Sequence, residues 1–370
     1  MYQNLMLRYE RQVTLPEWGA EGQEKMRTAK VLVVGAGGLG VPVIQYLAAA
    51  GVGHLGIVDG DVVDLSNIHR QPLYDADDCG RNKATVAAEK VFQLNSDVTT
   101  IVYTFQLQAD NAADLMAPYD IIIDASDNFP TRYCINDAAV LLDKPVVYGA
   151  VSAMEGQLSV LNYQEGPTYR CLFPTPPPPG GAWDCATTGI MGTIPGTIGM
   201  LMATEALKII TGIGYPLRRQ LLTWRASMQE FIKFEFDRNA DYLNLVPENL
   251  EALSRMDYPA FCGVLSSTTI APETWLSSPS DFSAIIDVRE ENELPPSMEG
   301  ALRLPLSRLQ QRPDLPVLDG RVLVYCQTGN RTPEAIRILQ QQFPAVHFVT
   351  LEGGIKAWQL FEMNRKYGNA

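Results

Sequence analysis

Hydrophobic runs that alternate with helix-like stretches occupy the first part of the chain. The apolar run VLVV at 31–34 ends in the glycine-rich segment GAGGLG at 35–40, and the helix-compatible VPVIQYLAAA follows at 41–50. Further apolar runs lie at 54–61 and 119–128, with helix-like sequence between them. Uninterrupted apolar strands that alternate with helices are typical of a parallel sheet covered on both faces.

Two later stretches divide the sequence. Residues 166–184 contain PTPPPPGG, which fits neither a helix nor a central strand, so we predict an exposed crossing loop followed by a long buried helix. Residues 246–270 are irregular and polar, and a second alternating unit follows with AIIDV and RVLVYC. We therefore predict a larger domain at 1–245, a linker at 246–270 and a smaller domain at 271–370, which suits a chain of 370 residues.

Composition and charge exclude several classes of protein. The chain is 46% hydrophobic and 19% charged, which is typical of globular proteins, and its net charge of −13 argues against general binding to nucleic acid or to anionic lipid. The charged opening MYQNLMLRYERQ does not resemble a targeting segment, and the uncharged run at 185–204 is too rich in Thr and Gly to span a membrane, so we expect a cytoplasmic protein. The six cysteines have no close spacing, which argues against a disulfide framework.

The glycine-rich segment predicts a phosphate-binding turn. Gly35, Gly37 and Gly40 match G-x-G-x-x-G directly after a strand and at the start of a helix, and Asp59 follows at the end of the next strand. Glycines let the backbone approach phosphates, and the helix N-terminus offers unpaired N–H groups. The motif alone does not separate NAD from ATP, and glycines that serve only close packing are the alternative.

Polar residues that follow the strands favour ATP. SNIHRQ supplies Asn67 and Arg70, GRNKA supplies Lys83, and the strand at 119–128 ends in Asp127 and Asn128. Cleavage of ATP between its α and β phosphates builds negative charge on pyrophosphate, which cations and a carboxylate-bound metal stabilise. Transfer of a hydride to or from NAD needs none of these groups.

Residues 8–245 resemble the MoeB and ThiF type of adenylating enzymes, which activate ubiquitin-like sulfur carriers. The matching stretches are RYERQ, GAGGLG, DGDVVDLSNIHRQ, GRNKA, DASDN and DCATTGIMG. The resemblance implies an α/β, Rossmann-like adenylating domain with a mostly parallel sheet. It also implies the reaction, in which the C-terminal Gly-Gly carboxylate of the carrier attacks the α phosphate of MgATP and forms an acyl adenylate.

The same resemblance implies roles for individual residues. Gly38 would line the phosphates of the nucleotide, and Asp59 would hold its ribose. The residues that would contact the triphosphate are Ser66, Asn67, Arg70 and Lys83. Asp127 would hold magnesium, with Asn128 beside it. Arg11 would reach into the nucleotide site of a second copy, which implies a homodimer. Cys185 would form a covalent link to the activated carrier, although a buried packing cysteine is the alternative.

A structural zinc site that is common in these enzymes is incomplete here. Two C-x-x-C pairs would fall at 168 and 171 and at 242 and 245, but Thr168, Tyr242 and Leu245 stand at three of the four positions. Cys171 alone cannot hold a tetrahedral zinc. We therefore predict that zinc is absent.

The second unit has a cysteine-headed loop. CQTGNR at 326–331 follows the strand RVLVY and precedes a helix, so backbone N–H groups would stabilise an anion on Cys326. Arg331 would add positive charge or steady the loop. Residues 271–370 resemble a rhodanese domain in AIIDVRE, GALRLPL, CQTGNR and LEGGIKAW, which implies a smaller α/β domain and a persulfide on Cys326. ELPPSMEGA departs from the usual rhodanese pattern, and a rhodanese fold kept only for binding is the alternative.

The two resemblances together imply a sulfurtransferase reaction. The first domain would adenylate the carrier with ATP and Mg²⁺, Cys326 would bring sulfur from a persulfide donor such as a cysteine desulfurase, and Cys185 would help to free a carrier thiocarboxylate. Two alternatives remain: an activating enzyme that forms a carrier thioester for protein conjugation, and an NAD-dependent oxidoreductase. The carrier, and thus a pathway such as molybdenum cofactor, thiamine or thiolated tRNA synthesis, stays open.

Overall fold

The computed structural model describes two compact units. The described residues are 2–177, 189–263, 268–311, 315, 317–329, 331–343 and 345–367. Within them the first unit extends to Tyr258, and the second begins at Pro259. No helix in these ranges combines the length and the apolar character that a membrane span requires.

The first unit is built on one large sheet. Its strands are β1 (Lys30–Val34), β2 (His54–Val58), β3 (Thr99–Tyr103), β4 (Ile121–Asp124), β5 (Val146–Ser152), β6 (Glu155–Leu161), β7 (Gln220–Arg225) and β8 (Glu230–Glu235). Its helices are α1 (Tyr2–Val13), α2 (Gly19–Thr28), α3 (Gly40–Ala50), α4 (Lys83–Leu94), α5 (Ala112–Met116), α6 (Phe129–Leu141), α7 (Tyr169–Leu172), α8 (Thr193–Thr211), α9 (Ala240–Leu243) and α10 (Leu250–Ser254). Two 3₁₀ helices span Leu65–Arg70 and Ala76–Asp78.

The strand order places a crevice beside β1. The order is β3-β2-β1-β4-β5-β6-β7-β8, with parallel pairs from β3 to β5 and antiparallel pairs from β5 to β8. Val34 at the end of β1 lies opposite Val58 and Asp124. Because the order reverses between β1 and β4, the loops at this edge form the usual ligand crevice of doubly wound sheets. The predicted α/β class with a mostly parallel sheet is confirmed.

The long helix predicted after the proline-rich segment is α8. Ile194, Ile198 and Met202 on this helix are fully buried in the main hydrophobic core. A Cβ atom on Gly199 would lie 2.4 Å from the carbonyl oxygen of Leu39, so α8 packs unusually close to the start of α3. This contact holds α8 beside the glycine-rich turn.

The first part of the predicted exposed loop is buried instead. Arg170 is 1% exposed, and its guanidinium donates two hydrogen bonds of 2.7 Å to the carboxylate of Asp137 on α6. The backbone N–H of Tyr169 donates to Asn136 Oδ1. These partners on α6 order the short helix α7, although the sequence around it favours an irregular loop. Residues 178–188, with Cys185, lie outside the described part.

Much of the stretch that we expected to be a linker packs on the first unit. Residues 250–254 form α10, residues Tyr258–Phe261 form α11, and Leu253 is fully buried. The Tyr258 hydroxyl donates to Asp137 Oδ2 at 2.8 Å. Since isolated apolar residues in a polar stretch give no periodic signal, the sequence does not reveal these contacts.

The second unit contains a parallel sheet covered on both faces. Its elements are β9 (Thr268–Ile270), α12 (Pro272–Ser277), β10 (Ala284–Asp287), β11 (Leu302–Arg303), α13 (Leu306–Leu309), β12 (Arg321–Tyr325), α14 (Thr332–Gln342), β13 (His347–Leu351) and α15 (Gly354–Tyr367). A 3₁₀ helix spans Pro279–Asp281. The order is β11-β10-β12-β13-β9, and every pair is parallel. Val322 and Val324 face one hydrophobic cluster and Leu323 and Tyr325 another, as expected for a central strand.

Candidate active site

The glycine-rich turn after β1 is tightly enclosed. Gly35 has φ +98°, and a Cβ on it would lie 2.6 Å from the carbonyl oxygen of Ala125, so only glycine fits there. A Cβ on Gly40 would overlap the Gly35 carbonyl oxygen, and one on Gly38 would lie 3.0 Å from Pro195 Cβ on α8. The turn therefore brings the N-terminus of α3 to the crevice, and its glycines place no side chains of their own over the backbone N–H groups, which suits phosphate binding.

Asp59 supports this turn from the end of β2. It is 8% exposed, its Oδ2 accepts the N–H of Ala36 and its Oδ1 accepts the N–H of Asp61, both at 2.8 Å. Burial raises the pKa of Asp59, while the nearby charge of Lys83 and the two N–H groups act in the opposite direction. Each carboxylate oxygen keeps capacity for a further hydrogen bond, such as one from a ribose hydroxyl.

Lys83 lies buried at the first position of α4. Its Nζ is 3.2 Å from Asp61 Oδ2, and the Lys83 side chain is 7% exposed whereas that of Asp61 is 61% exposed. Asn82 caps the helix by accepting the N–H of Thr85, and its Nδ2 donates to the Asp59 carbonyl oxygen at 2.9 Å. Asp61 thus holds the ammonium, and the Tyr74 hydroxyl donates to the carbonyl oxygens of both Lys83 and Ala36, which joins the start of α4 to the glycine-rich turn. Sequence reasoning did not single out Asn82 or Asp61, although an Asn before a helical pattern is a recognised N-cap signal.

The first 3₁₀ helix carries the remaining predicted triphosphate contacts. Asp64 caps it by accepting the N–H of Ser66 at 2.8 Å, and Asn67 Nδ2 donates to Ser66 Oγ. Arg70 donates from Nη1 to the Ser66 carbonyl oxygen at 3.2 Å. The Arg70 carbonyl oxygen lies 3.4 Å from the place of a Cβ on Gly38, so the end of this helix abuts the phosphate-binding turn.

Gln71 is a site residue that sequence reasoning missed. It is 3% exposed, and its Oε1 has no hydrogen-bond partner within the described residues. Its Nε2 lies 3.6 Å from the place of a Cβ on Gly37. An unpaired buried acceptor is costly, so Gln71 Oε1 suits a ligand group that donates a hydrogen bond, such as a ribose hydroxyl, whereas a phosphate oxygen would accept from Nε2 instead. The sequence feature that could have identified Gln71 is its position directly after Arg70, at the end of the stretch DGDVVDLSNIHRQ.

The end of β4 supplies an exposed carboxylate. Asp127 is exposed, whereas Asp124 is buried and accepts hydrogen bonds from the Ser126 hydroxyl and N–H. Asn128 caps α6 by accepting the N–H of Thr131, and it donates to Asp127 Oδ1 at 3.3 Å. Burial raises the pKa of Asp124, with the Arg132 charge opposing. Asp127 can therefore offer oxygen ligands to a cation without leaving its place.

These residues fit MgATP as a ligand. The turn offers N–H groups, Arg70 and Lys83 offer positive charge, and Asp127 offers carboxylate oxygen. Within the described ranges no group of three or more His, Cys, Asp and Glu is arranged as a metal site. Mg²⁺ usually takes one or two carboxylates together with substrate phosphates, so a single carboxylate matches that pattern.

The second unit directs two backbone N–H groups at its buried cysteine. Cys326 is 1% exposed, and its sulfur accepts the N–H of Gly329 at 3.1 Å and of Arg331 at 3.3 Å. Gly329 has φ +99°, which lets the loop curl around the sulfur. Helix α14 begins directly afterwards, at Thr332. The loop thus directs two backbone N–H groups at the sulfur. A persulfide on Cys326 stays a prediction.

One arginine of this loop, Arg331, and one that contacts it, Arg289, each have a carboxylate partner. Arg331 Nη2 lies 2.6 Å from Glu293 Oε2 in a bidentate pair, and Glu293 raises the pKa of Arg331. Arg289 pairs with Asp287 at 2.7 Å with both side chains fully buried, and its Nη1 donates to Gln327 Oε1. Sequence reasoning named Arg331 but missed both carboxylates. Glu293 lies 38 residues from Arg331 along the chain, which leaves no local pattern, whereas Asp287 is only two residues from Arg289 and lies within the quoted AIIDVRE stretch.

Comparison with known proteins identifies both units. The description "ThiF family" matches residues 9–244, and "Rhodanese-like domain" matches residues 273–360. The chain belongs to the ThiF family. The recognition made from the sequence is therefore confirmed for both domains.

Relatives named adenylyltransferase and sulfurtransferase match nearly the whole chain. A probable adenylyltransferase/sulfurtransferase MoeZ of Mycobacterium tuberculosis is 39% identical, covering 95% of this chain and 92% of that protein. Adenylyltransferase and sulfurtransferase MOCS3-1 of Zea mays is 36% identical, covering 96% of this chain and 81% of that protein. The ThiF-rhodanese chain is accordingly an enzyme of the adenylyltransferase and sulfurtransferase class.

Two further matches concern the ThiF domain. A sulfur carrier protein adenylyltransferase of Thermus thermophilus is 49% identical, covering 70% of this chain and 96% of that protein. Crystal structures of E. coli MccB resemble the fold; one of them has a TM-score of 0.57 at 20% identity and covers 63% of this chain and 72% of that one. The likeness to MccB concerns the fold alone.

Two predicted residues are not brought to the ThiF crevice by the described structure. Cys185 lies outside the described residues. Arg11 is exposed in the last turn of α1 and has no hydrogen bond or ion pair within the described part of its own chain. The role of each stays a prediction.

Proposed function

We propose that this ThiF-rhodanese enzyme adenylates the C-terminal glycine of a ubiquitin-like sulfur carrier and then converts it into a thiocarboxylate with sulfur from Cys326. The observation that supports adenylation is the grouping of Lys83, Arg70 and the glycine-rich turn at one edge of the sheet. The name of the Thermus relative supports a sulfur carrier as the substrate. The two backbone N–H groups that donate to Cys326 Sγ support the sulfur step.

In the first step the carrier carboxylate oxygen forms a bond to the α phosphorus while the bond to the bridging oxygen of the β phosphate breaks. The charge that develops on pyrophosphate is stabilised by Lys83 and Arg70 and by the N–H groups of the turn. Since Lys83 is buried and fixed by Asp61, it loses little conformational freedom when it binds a phosphate oxygen. Asp127 would hold Mg²⁺, which when bound neutralises phosphate charge.

In the second step the outer sulfur of a Cys326 persulfide attacks the acyl carbon, and AMP leaves. The resulting acyl disulfide is resolved when the Cys185 thiolate attacks Cys326 Sγ, which forms a Cys185–Cys326 disulfide and releases the carrier thiocarboxylate. Two equivalents of a cellular thiol then reduce that disulfide and are themselves joined as a disulfide. The sulfur enters as a persulfide from a donor protein such as a cysteine desulfurase.

The test is mass spectrometry of candidate Gly-Gly carriers incubated with the enzyme, MgATP and a sulfur donor. We expect a mass gain equal to the replacement of one oxygen by sulfur. Cys326→Ala should abolish this product while ATP–pyrophosphate exchange continues, and Cys79→Ala, at an exposed cysteine, should change neither. A carrier that gains no sulfur but forms a covalent thioester with the enzyme, equally in wild type and in Cys326→Ala, would favour the thioester-forming activating enzyme instead.

We also propose that Arg11 acts in the nucleotide site of a second copy. The lack of a partner for Arg11 within the described chain supports this role. Arg11→Ala and Asp127→Ala should each be inactive alone. When the two variants are mixed and their subunits redistribute, about half of the dimers contain one subunit of each kind, and one of the two sites in such a dimer is complete. The mixture should therefore recover up to about a quarter of the wild-type rate of ATP–pyrophosphate exchange. No recovery, or an active monomer in sedimentation, would contradict the proposal.

A further inference from the structure

We propose that Glu293 makes the Cys326 loop selective for persulfides of thiols and against small dianionic sulfur donors such as thiosulfate. The inference deepens the proposed function and rests on it, since it concerns the donor that loads Cys326. It assigns a role to the segment ELPPSMEG, in which the sequence departs from the usual rhodanese pattern.

Glu293 is held in place by its own turn. Its N–H donates to the Glu290 carbonyl oxygen at 3.1 Å, and its Oε1 accepts the N–H of Glu290 at 2.9 Å. Arg303 Nη2 donates to the Glu293 carbonyl oxygen at 2.9 Å. Because backbone and side chain are both fixed, the carboxylate meets Arg331 without ordering a flexible side chain first.

The pair removes the net positive charge that the loop would otherwise present. The Arg331 and Glu293 side chains are 28% and 30% exposed, so water screens their interaction only in part. The other arginine that contacts the loop, Arg289, is fully neutralised by the buried Asp287. Attraction of an anion to Cys326 then depends mainly on the backbone N–H groups of the loop.

The two donor classes differ in charge at the moment of transfer. With a persulfide, the Cys326 thiolate attacks the outer sulfur of R–S–SH, the S–S bond breaks, and R–S⁻ leaves while the proton stays on the transferred sulfur. With thiosulfate, the thiolate attacks the outer sulfur, the S–S bond breaks, and sulfite leaves with two negative charges. Sulfur moves between partners without an external oxidant in both cases. A dianion gains twice as much as a monoanion from an unpaired arginine.

The test compares the two donors on the full chain. The probes are sodium thiosulfate and glutathione persulfide, and the readout is the rate at which Cys326 gains one sulfur, measured by intact mass. Glu293→Gln should raise kcat/KM for thiosulfate by about tenfold or more and change that for glutathione persulfide by less than about threefold. Glu293→Asp, which keeps the charge, should retain the wild-type preference.

A matched control is Glu290→Gln. Glu290 lies in the same turn, but its carboxylate accepts hydrogen bonds from Ser307. It should leave the donor ratio unchanged. Equal effects of Glu290→Gln and Glu293→Gln, or a thiosulfate rate that does not rise in Glu293→Gln, would overturn the proposal.

Should Glu293→Gln fail to fold, Arg331→Gln provides a second test. It leaves the Glu293 carboxylate without its partner, so the ratio of thiosulfate to persulfide rates should fall below that of the wild type. A rise in this ratio would refute the inference. Failure of the proposed function is distinct, because the wild type would then gain no sulfur from either donor.

Discussion

Substitution of Gly38 by alanine tests whether the turn after β1 binds the nucleotide. The added Cβ would lie 3.0 Å from Pro195 Cβ, 3.1 Å from Pro195 Cγ and 3.4 Å from the Arg70 carbonyl oxygen. Optimal contacts between carbon atoms are about 3.5 to 4.0 Å, so Pro195 or the turn must move by roughly half an ångström or more.

Neither neighbour of Gly38 can move freely. Pro195 has a rigid ring and lies in α8, which is held by close packing on both sides of it. A Cβ on Gly192 would lie 2.2 Å from the His69 carbonyl oxygen, and a Cβ on Gly199 would lie 2.4 Å from the Leu39 carbonyl oxygen. Overpacking of this kind costs about 1 to 3 kcal/mol. If the turn moves, we expect kcat/KM for ATP to fall by roughly 5-fold to 150-fold.

The assay is carrier-dependent ATP–pyrophosphate exchange, with thermal unfolding measured alongside. Gly196→Ala is the matched control, because it makes the same change next to Pro195 with no atom within 4 Å of the new Cβ. It should leave exchange unchanged. A Gly38→Ala enzyme with wild-type KM for ATP and unchanged thermal stability would refute the assignment of this turn to the phosphates.

Three further changes test other parts of the molecule. Lys83→Met should lower kcat/KM for ATP–pyrophosphate exchange by at least about 100-fold. Lys90→Met removes a lysine that pairs with Asp75 and is the control, which should keep the wild-type rate. Similar losses in both variants would contradict the role of Lys83. Asp137→Asn leaves the charge of Arg170 buried and should destabilise the ThiF domain by about 3 to 5 kcal/mol in urea unfolding, and an unchanged transition would contradict this. The hydrogen bond from Arg331 holds the pKa of Glu293 below its usual 4.5. The free energy of unfolding of the wild type should therefore exceed that of Glu293→Gln above pH 4.5, and this difference should vanish as the pH falls below 4.5 and Glu293 becomes protonated. A difference that does not change with pH would contradict the pairing.

Local spacing made the phosphate-binding turn predictable. Gly40 is restricted to glycine by the carbonyl oxygen of Gly35, five residues away, and Gly35 by the carbonyl oxygen of Ala125 after the neighbouring strand β4. The alternation of apolar strands with helices in the sequence predicts that β1 and β4 belong to one sheet. The same holds for the Cys326 loop, in which donors and acceptor lie within six residues of one another along the chain. Short-range geometry is encoded in short motifs.

Contacts between distant segments were not predictable. Asp137 receives hydrogen bonds from Arg170 and from Tyr258, the second of which is 121 residues away along the chain. No pattern in 246–270 distinguishes Tyr258 from an exposed tyrosine, so this stretch was interpreted as a linker. Glu293 is similar, since several acidic residues precede it and only the folded turn selects the one that meets Arg331.

The predicted absence of zinc can be argued from the atoms that occupy the relevant positions. Cys171 Sγ accepts the N–H of Thr168 and the N–H of Asn239, each at 3.4 Å, so one sulfur connects the two segments in which the paired cysteines of similar enzymes would stand. Tyr242 and Leu245 add no soft ligand. These hydrogen bonds to sulfur are weak, and Cys171→Ser should therefore cost less than about 1.5 kcal/mol of stability. Elemental analysis of purified enzyme should find far less than one zinc per chain; one zinc per chain that is lost in Cys171→Ser would show that a metal, and not hydrogen bonding, joins these segments.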